Sequence, residues 1–255
     1  MSARHRVPDR RMSLYARGIN ASARAGWSEK AFELLGRARE EFGGDLDVSV
    51  YGAALTACGK AGDVDTAVEL LEEVRAKGAK LPKFAYNAAL AACAHGGAWE
   101  QALSLLATMQ QDGPEPNNVS FNWTISACEL AGEHDKAAAL FEAALSLDLY
   151  AQLWVAAGDT VDLRAFPPNV CRTALRRILD GRDPSYYDKD NDDAEKKPLT
   201  CLLGANQYGS DLSKTITAFI DNEYANAASF RCTAFDATNG KLSIVAAEVT
   251  ETPAP

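Results

Sequence analysis

Tyr51-Gly-Ala-Ala-Leu55, Tyr86-Asn-Ala-Ala-Leu90 and Phe121-Asn-Trp-Thr-Ile125 are three versions of one phrase. The aromatics recur every 35 residues, and three further columns keep the same interval: Cys58, Cys93 and Cys128; Gly62, Gly97 and Gly132; Ala67, Ala102 and Ala137. Four columns in phase mark a stacked-repeat architecture, and a period of this size has to be settled before any local assignment.

Each unit reads as two helices. The first runs from the aromatic to the Cys, with Tyr51, Ala54, Leu55 and Cys58 forming an i, i+3, i+4, i+7 stripe. A Gly breaks it. The second carries Ala67, Leu70, Leu71 and Val74, echoed by Ala102, Leu105, Leu106 and Met109, and by Ala137, Leu140 and Phe141. Gly78 and Gly113 stand where that helix stops, with Pro82, Pro114 and Pro116 beyond. Neither helix buries its stripe alone, so neighbouring units stack, and the fold class predicted is an α-solenoid of about four helical hairpins. The recurrent Cys and Ala are expected to let adjacent helices approach closely.

Working outward, residues 14–47 are a worn first unit: Tyr15, Gly26 and Ala31 precede Tyr51, Gly62 and Ala67 by 36, which places one inserted residue near Glu41 to Asp45. Residues 1–13 form a basic tail with Arg4, Arg6, Arg10 and Arg11 against Asp9, read either as the remnant of an organelle transit peptide or as an unstructured start.

After Leu147 the rhythm stops. Thr160–Leu163 is strand-like, Val170–Leu179 an amphipathic helix, and 181–198 a charged mobile loop. In that loop Asp188, Asp190 and Asp192 suggest a calcium site. Asp193 replaces the required Gly and Leu199 the bidentate Glu, so no metal is expected. Leu199–Leu203 is a second strand and Leu212–Ile220 a second helix. Phe230–Phe235 and Leu242–Ala247 are strands joined through Thr238-Asn239-Gly240, a strong hairpin signal. The order β-α-β-α-β-β over residues 160–247 predicts a small α/β sandwich, with a disordered tail over 248–255.

Charge discriminates among functions. The 255 residues carry a net charge of −9: residues 1–47 hold 9 basic and 7 acidic side chains, 48–150 hold 6 and 13, and 151–255 hold 11 and 15. This balance opposes non-specific nucleic-acid binding, which depends on neutralising phosphates. The acids Asp63, Asp65, Glu69, Glu72, Glu73, Glu100, Glu133, Asp135 and Glu142 all belong to second helices, whereas the first helices carry few charges, among them Lys60 and Glu129. One face is predicted acidic and the other near neutral. No apolar run approaches the roughly 20 residues a membrane span needs. The six Cys include no closely spaced pair, and three share one repeat position, so they read as small buried hydrophobes in a reducing compartment.

The repeated unit resembles the pentatricopeptide repeat over residues 14–152, through its 35-residue interval, the Tyr/Phe opening, Cys-Gly-Lys-Ala-Gly at 58–62, the alanine column and Gly-x-x-Pro at 113–116. The resemblance implies single-stranded RNA as partner, one base per unit read by two or three side chains. The implied readers are the residue after the first-helix aromatic and the last residue of the unit. They are Ala16 with Asp47, Gly52 with Pro82, Asn87 with Asn117, and Asn122 with Gln152. Asn87 with Asn117 matches a readable family combination that favours a pyrimidine; Asn122 is a half-match; Gly52 with Pro82 offers no side-chain hydrogen bond.

Residues 160–247 look like the Smr domain that follows such repeats in one organellar subfamily, through Val161-Asp162-Leu163, Thr173–Leu179, Leu202-Leu203-Gly204 and Asn239-Gly240. The family's His and Gly after Asp-Leu are here Arg164 and Ala165, and its second His motif survives only as Gly204–Ser210, without His. Arginine stays protonated and cannot act as general base, which leaves Asp162 as a lone catalytic candidate. Arg164, Arg172, Arg176 and Arg177 are candidate phosphate contacts. The function expected is an organellar (chloroplast or mitochondrial) RNA-binding protein acting in RNA processing, stability or translation. It would work without catalysis or cofactor, with other RNA-processing proteins as further partners. The alternatives are a protein-interaction scaffold and an Smr-type endonuclease.

Overall fold

The computed structural model describes residues 10–112, 114–155, 160–180, 199–205, 207–224 and 230–246, and the chain divides into two compact units, 1–140 and 141–255. The loop expected over 181–198, the tail over 248–255, Gly113 and residues 1–9 lie outside the described residues.

Unit 1 is a helical-repeat solenoid. Helices α1 (Arg10–Arg24) and α2 (Ser28–Phe42) form the first hairpin, α3 (Val48–Ala61) and α4 (Val64–Ala76) the second, and α5 (Lys83–His95) and α6 (Trp99–Asp112) the third. Helix α7 (Asn118–Leu130) opens the fourth, completed by α8 (His134–Ser146), in which the boundary between the units falls. Helix α1 begins at Arg10, so the end of the stretch read as tail is helical. Gly26, Gly62, Gly97 and Gly132 separate the paired helices with φ between +70° and +80°, a backbone state that costs other residues strain. Gly43 and Gly44 (φ 60° and 79°) form the longer link after α2, where the 36-residue spacing places the insertion.

The first helices stack in a row, α1 on α3, α3 on α5 and α5 on α7. Tyr51, Tyr86 and Phe121 are buried beneath that row together with Leu55, Leu90 and Ile125. Each such side chain withdrawn from water contributes about 1.5–3 kcal/mol. Small residues set the spacing: a Cβ on Gly59 would lie 2.7 Å from the Ala88 carbonyl oxygen, so α3 and α5 meet backbone to side-chain-less backbone. Cys58, Cys93 and Cys128 are buried, and burial pushes their thiols up to about 12, 11 and 11.

Unit 2 holds a five-stranded mixed sheet in the order β1-β2-β3-β5-β4. The strands are β1 (Trp154–Val155), β2 (Thr160–Asp162), β3 (Leu199–Leu202), β4 (Phe230–Cys232) and β5 (Lys241–Ala246). Helix α9 (Pro168–Asp180) connects β2 to β3, which pair in parallel with Asp162 opposite Leu202; the other pairs are antiparallel. Helix α10 (Gln207–Tyr224) packs on α9 and β4. The predicted strand and helix order holds, with β1 as an added edge strand. The hairpin joining β4 and β5 closes at Asp236, whose carbonyl accepts from Gly240 N (2.8 Å) and Lys241 N (3.2 Å). The turn is thus wider than a two-residue Asn-Gly loop.

Candidate nucleic-acid interface

The unit-ending residues take one structural role. Asp47, Pro82 and Asn117 are the N-caps of α3, α5 and α7. Only Asn117 among these three caps through its side chain: its Oδ1 accepts from Ser120 N at 3.1 Å, while Asn117 N donates to Ser120 Oγ at 3.2 Å. This reciprocal capping box satisfies two helix-terminal donors. Asn87, half-buried on α5, donates from Nδ2 to Asn117 Oδ1 at 3.4 Å and accepts at Oδ1 from Ser120 Oγ at 2.6 Å. The pair singled out from the repeat frame is therefore in contact, held by a serine that the frame did not flag. The signal for it was present in the Asn117-x-x-Ser120 spacing.

The other pairs behave differently. Ala16 is buried and offers no polar atom. Gly52 is buried under the ring of Phe84, where an added Cβ would sit 2.8 Å from ring carbons. Asn122 is half-buried in unit 1, whereas Gln152 is exposed on a 3-10 turn (Ala151–Leu153) of unit 2.

Asn87 lies on an open groove of about 280 Å³ along α3, α5 and α7. Its lining includes Lys60, Phe84, Asn87, Ala91, His95 and Trp123. Phe84 is 56% exposed and presents its ring to this groove. His95 Nδ1 lies 2.7 Å from the Gly59 carbonyl oxygen; a carbonyl only accepts, so Nδ1 carries the hydrogen and satisfies one of the end carbonyls of α3. Trp123 meets the same imidazole edge to face, ring centroids 5.2 Å apart. Of the two charges named on the first helices, Glu129 is 5% exposed, with His134 Nδ1 at 3.3 Å, whereas Lys60 is exposed. Among the acids of the second helices, Asp65, Glu69, Glu72, Glu100 and Asp135 are exposed. Glu73 instead bonds Tyr51, Lys77 (2.9 Å) and Arg39 (2.9 Å), tying α2, α3 and α4 together.

In unit 2, Asp162 is gripped by Arg164: Oδ1 accepts from Arg164 N (3.1 Å) and Nε (2.9 Å), and Oδ2 from Nη2 (2.5 Å). The hydrogen bonds from this guanidinium hold the Asp162 carboxyl below the usual carboxylate range. Arg176 pairs with Glu223 (2.7 Å) and Arg177 with Glu142 (2.6 Å); Arg172 bonds Asn169, while its Nε is buried without a hydrogen-bond partner among the described residues. Each of the four arginines thus already has a side-chain partner within this unit, three of them a carboxylate. Among the described residues no group of three or more potential ligands is arranged for a metal, and no helix is long and apolar enough to cross a membrane.

Two family models match unit 1: the pentatricopeptide repeat domain over residues 69–129 and the PPR repeat over 49–78. Residues 49–129 thus carry pentatricopeptide repeats. Among solved structures, the chain is similar to the pentatricopeptide repeat protein PPR10 in complex with an 18-nt psaJ RNA element, at 20% identity and TM-score 0.50, covering 85% of this chain and 33% of that one. A cysteine-substituted PPR10 in complex with the same RNA element matches equally, at 20% identity and TM-score 0.50, again covering 85% and 33%. The chain spans about a third of the length of these structures, and likeness at this identity establishes the fold. No curated protein matches the chain.

Proposed function

We propose that the chain binds single-stranded RNA along the α3–α5–α7 face and acts in RNA processing, stability or translation without catalysing a reaction. The observation that carries this is the Asn87–Asn117–Ser120 cluster at the edge of an open groove that also presents Lys60 and exposed aromatic rings. Amide groups can hydrogen-bond a base edge, a lysine can meet a phosphate, and aromatic faces can stack bases. The likeness to an RNA-bound pentatricopeptide repeat protein supports the same reading. Asn87 with Asn117 is the principal reading position, favouring a pyrimidine, with Asn122 and Gln152 secondary; Asp47 and Gly52 stand at the reading positions of the first two units, where Gly52 offers no side-chain hydrogen bond. Residues 160–247 form a degenerate Smr domain in this proposal, on the resemblance alone, and the same resemblance supports an organellar setting and other RNA-processing proteins as partners. Nicking is not part of the proposal, because Asp162 is engaged by Arg164 where the family has His.

The test is binding of the purified full chain to short single-stranded RNAs by fluorescence anisotropy across a salt series. Saturable, salt-weakened binding is expected; absence of binding to every RNA overturns the reading. A protein-interaction scaffold is the second reading, favoured by the exposed acids of the second helices and the occluded Gly52 position. Recovery of protein partners without RNA after crosslinking would decide for it.

A further inference from the structure

The repeat frame places Ala53, Ala88 and Trp123 in one column. Ala53 is buried and Ala88 half-buried, where first helices lie close; the third position breaks that rule with the bulkiest side chain available, half-exposed on α7. Trp123 is not in the hydrophobic core. It lies against His95 of the preceding unit at the floor of the groove, 5.2 Å between centroids at an interplanar angle of 72°. His95 is itself fixed from the other side by its bond to the Gly59 carbonyl. Phe84, exposed, Lys60 and Asn87 line the same groove.

Two rings held at a set angle with a third nearby make a rigid surface that suits a flat partner, and Lys60 suits an anionic one. A nucleotide is both. A volume of about 280 Å³ is at the lower edge of the range of about 300–1,000 Å³ for small-ligand pockets, enough for one nucleotide and too little for a folded element. We infer that His95 and Trp123 form a base-stacking platform, in the groove that Asn87 also lines but through residues other than the Asn87–Asn117 pair, that holds one nucleotide of the bound strand by its face. This rests on the RNA-binding reading above and deepens it: every base has a π face, so stacking adds affinity without sequence preference. An array with one well-formed reading pair gains its hold on RNA in this way.

The experiment measures binding of the full chain and of Trp123→Ala, Trp123→Leu, Trp123→Phe and Asn87→Ala to oligouridylate, oligocytidylate and oligoadenylate. Trp123→Ala is expected to weaken all three by about 5- to 150-fold, the loss of one stacked base. Trp123→Phe should stay within about threefold of the parent and Trp123→Leu should resemble Ala. Asn87→Ala should instead change the ranking of the three RNAs. If the parent binds RNA and Trp123→Leu binds as well as Trp123→Phe, the platform is overturned while the RNA reading stands. If the parent binds none of the three, both fall. Should Trp123→Ala fail to fold, as judged by circular dichroism, the Leu and Phe pair makes the decision.

Discussion

Asn87 on α5 and Asn117 at the start of α7 are 30 residues apart in the chain and share a hydrogen bond of 3.4 Å. Ser120 closes the triangle, with Oγ 2.6 Å from Asn87 Oδ1 and 3.1 Å from Asn117 Oδ1. The cap of one helix thereby orients a side chain on another.

This coupling separates two substitutions. Asn117→Ala removes the N-cap and is expected to cost about 0.5–2 kcal/mol of stability. Ser120→Ala leaves the Asn117 cap to the α7 backbone and removes the hydroxyl that holds Asn87, a loss of about 0.5–1.5 kcal/mol. Thermal melts and the preference between oligocytidylate and oligoadenylate check both: Asn117→Ala should lower the melting temperature more, and Ser120→Ala should flatten the preference.

Gly59→Ala tests the close approach of the stacked helices. The new Cβ would meet the backbone oxygen of Ala88 at 2.7 Å, and a backbone atom cannot swing aside. A destabilisation of about 1–3 kcal/mol is expected, read as a lower urea midpoint. Gly52→Ala meets only the end of the exposed Phe84 ring, which can move, and should cost less.

Glu73 predicts a pH dependence. Burial pushes its carboxyl up, but hydrogen bonds from Tyr51 and Lys77, with the charges of Lys77 and Arg39, bring the net value below the ordinary one. A carboxylate depressed by folding stabilises the native state above its unfolded pKa, and that contribution is lost as pH falls through the folded value. Glu73→Gln should lower the melting temperature at neutral pH, and the gap from the parent should narrow below about pH 4.3. A constant gap across that range would contradict the assignment.

Cysteine accessibility gives a further check. Cys58, Cys93, Cys128, Cys171 and Cys201 are buried and Cys232 is half-buried. Burial pushes the Cys171 thiol up to about 12 and that of Cys232 up to about 11. A thiol reagent at neutral pH should label the native protein slowly, Cys232 first, and all six cysteines only after unfolding. Rapid labelling of Cys58, Cys93 or Cys128 would contradict the packing of the first helices.

Lys60→Ala addresses the phosphate. Removing one contact should reduce the slope of log affinity against log salt by about 0.7 and weaken different RNAs alike. An unchanged slope would place the strand elsewhere.

The sequence by itself determined the solenoid. A 35-residue period in aromatic, Cys, Gly and Ala columns is a local record of helix, break, helix and break, and the glycines carry the left-handed turns that the spacing required. It also placed the hairpin of unit 2, since Asn239-Gly240 between two apolar runs leaves the backbone few alternatives. The tertiary structure decided which side chains meet across units. Glu129 and Lys60 read alike as charges on first helices, yet one is inward and the other at the groove, because helix phase relative to the next hairpin is set by stacking. For the same reason the spacing carried no signal for the contact that α5 makes between His95 and Trp123, and Arg164, read as a candidate phosphate contact, proved to be folded back on Asp162. Spacing along a chain fixes the turn of each helix; the partner of a side chain 30 residues away depends on how far successive hairpins rotate, and small residues such as Gly59 and Ala88 set that in space.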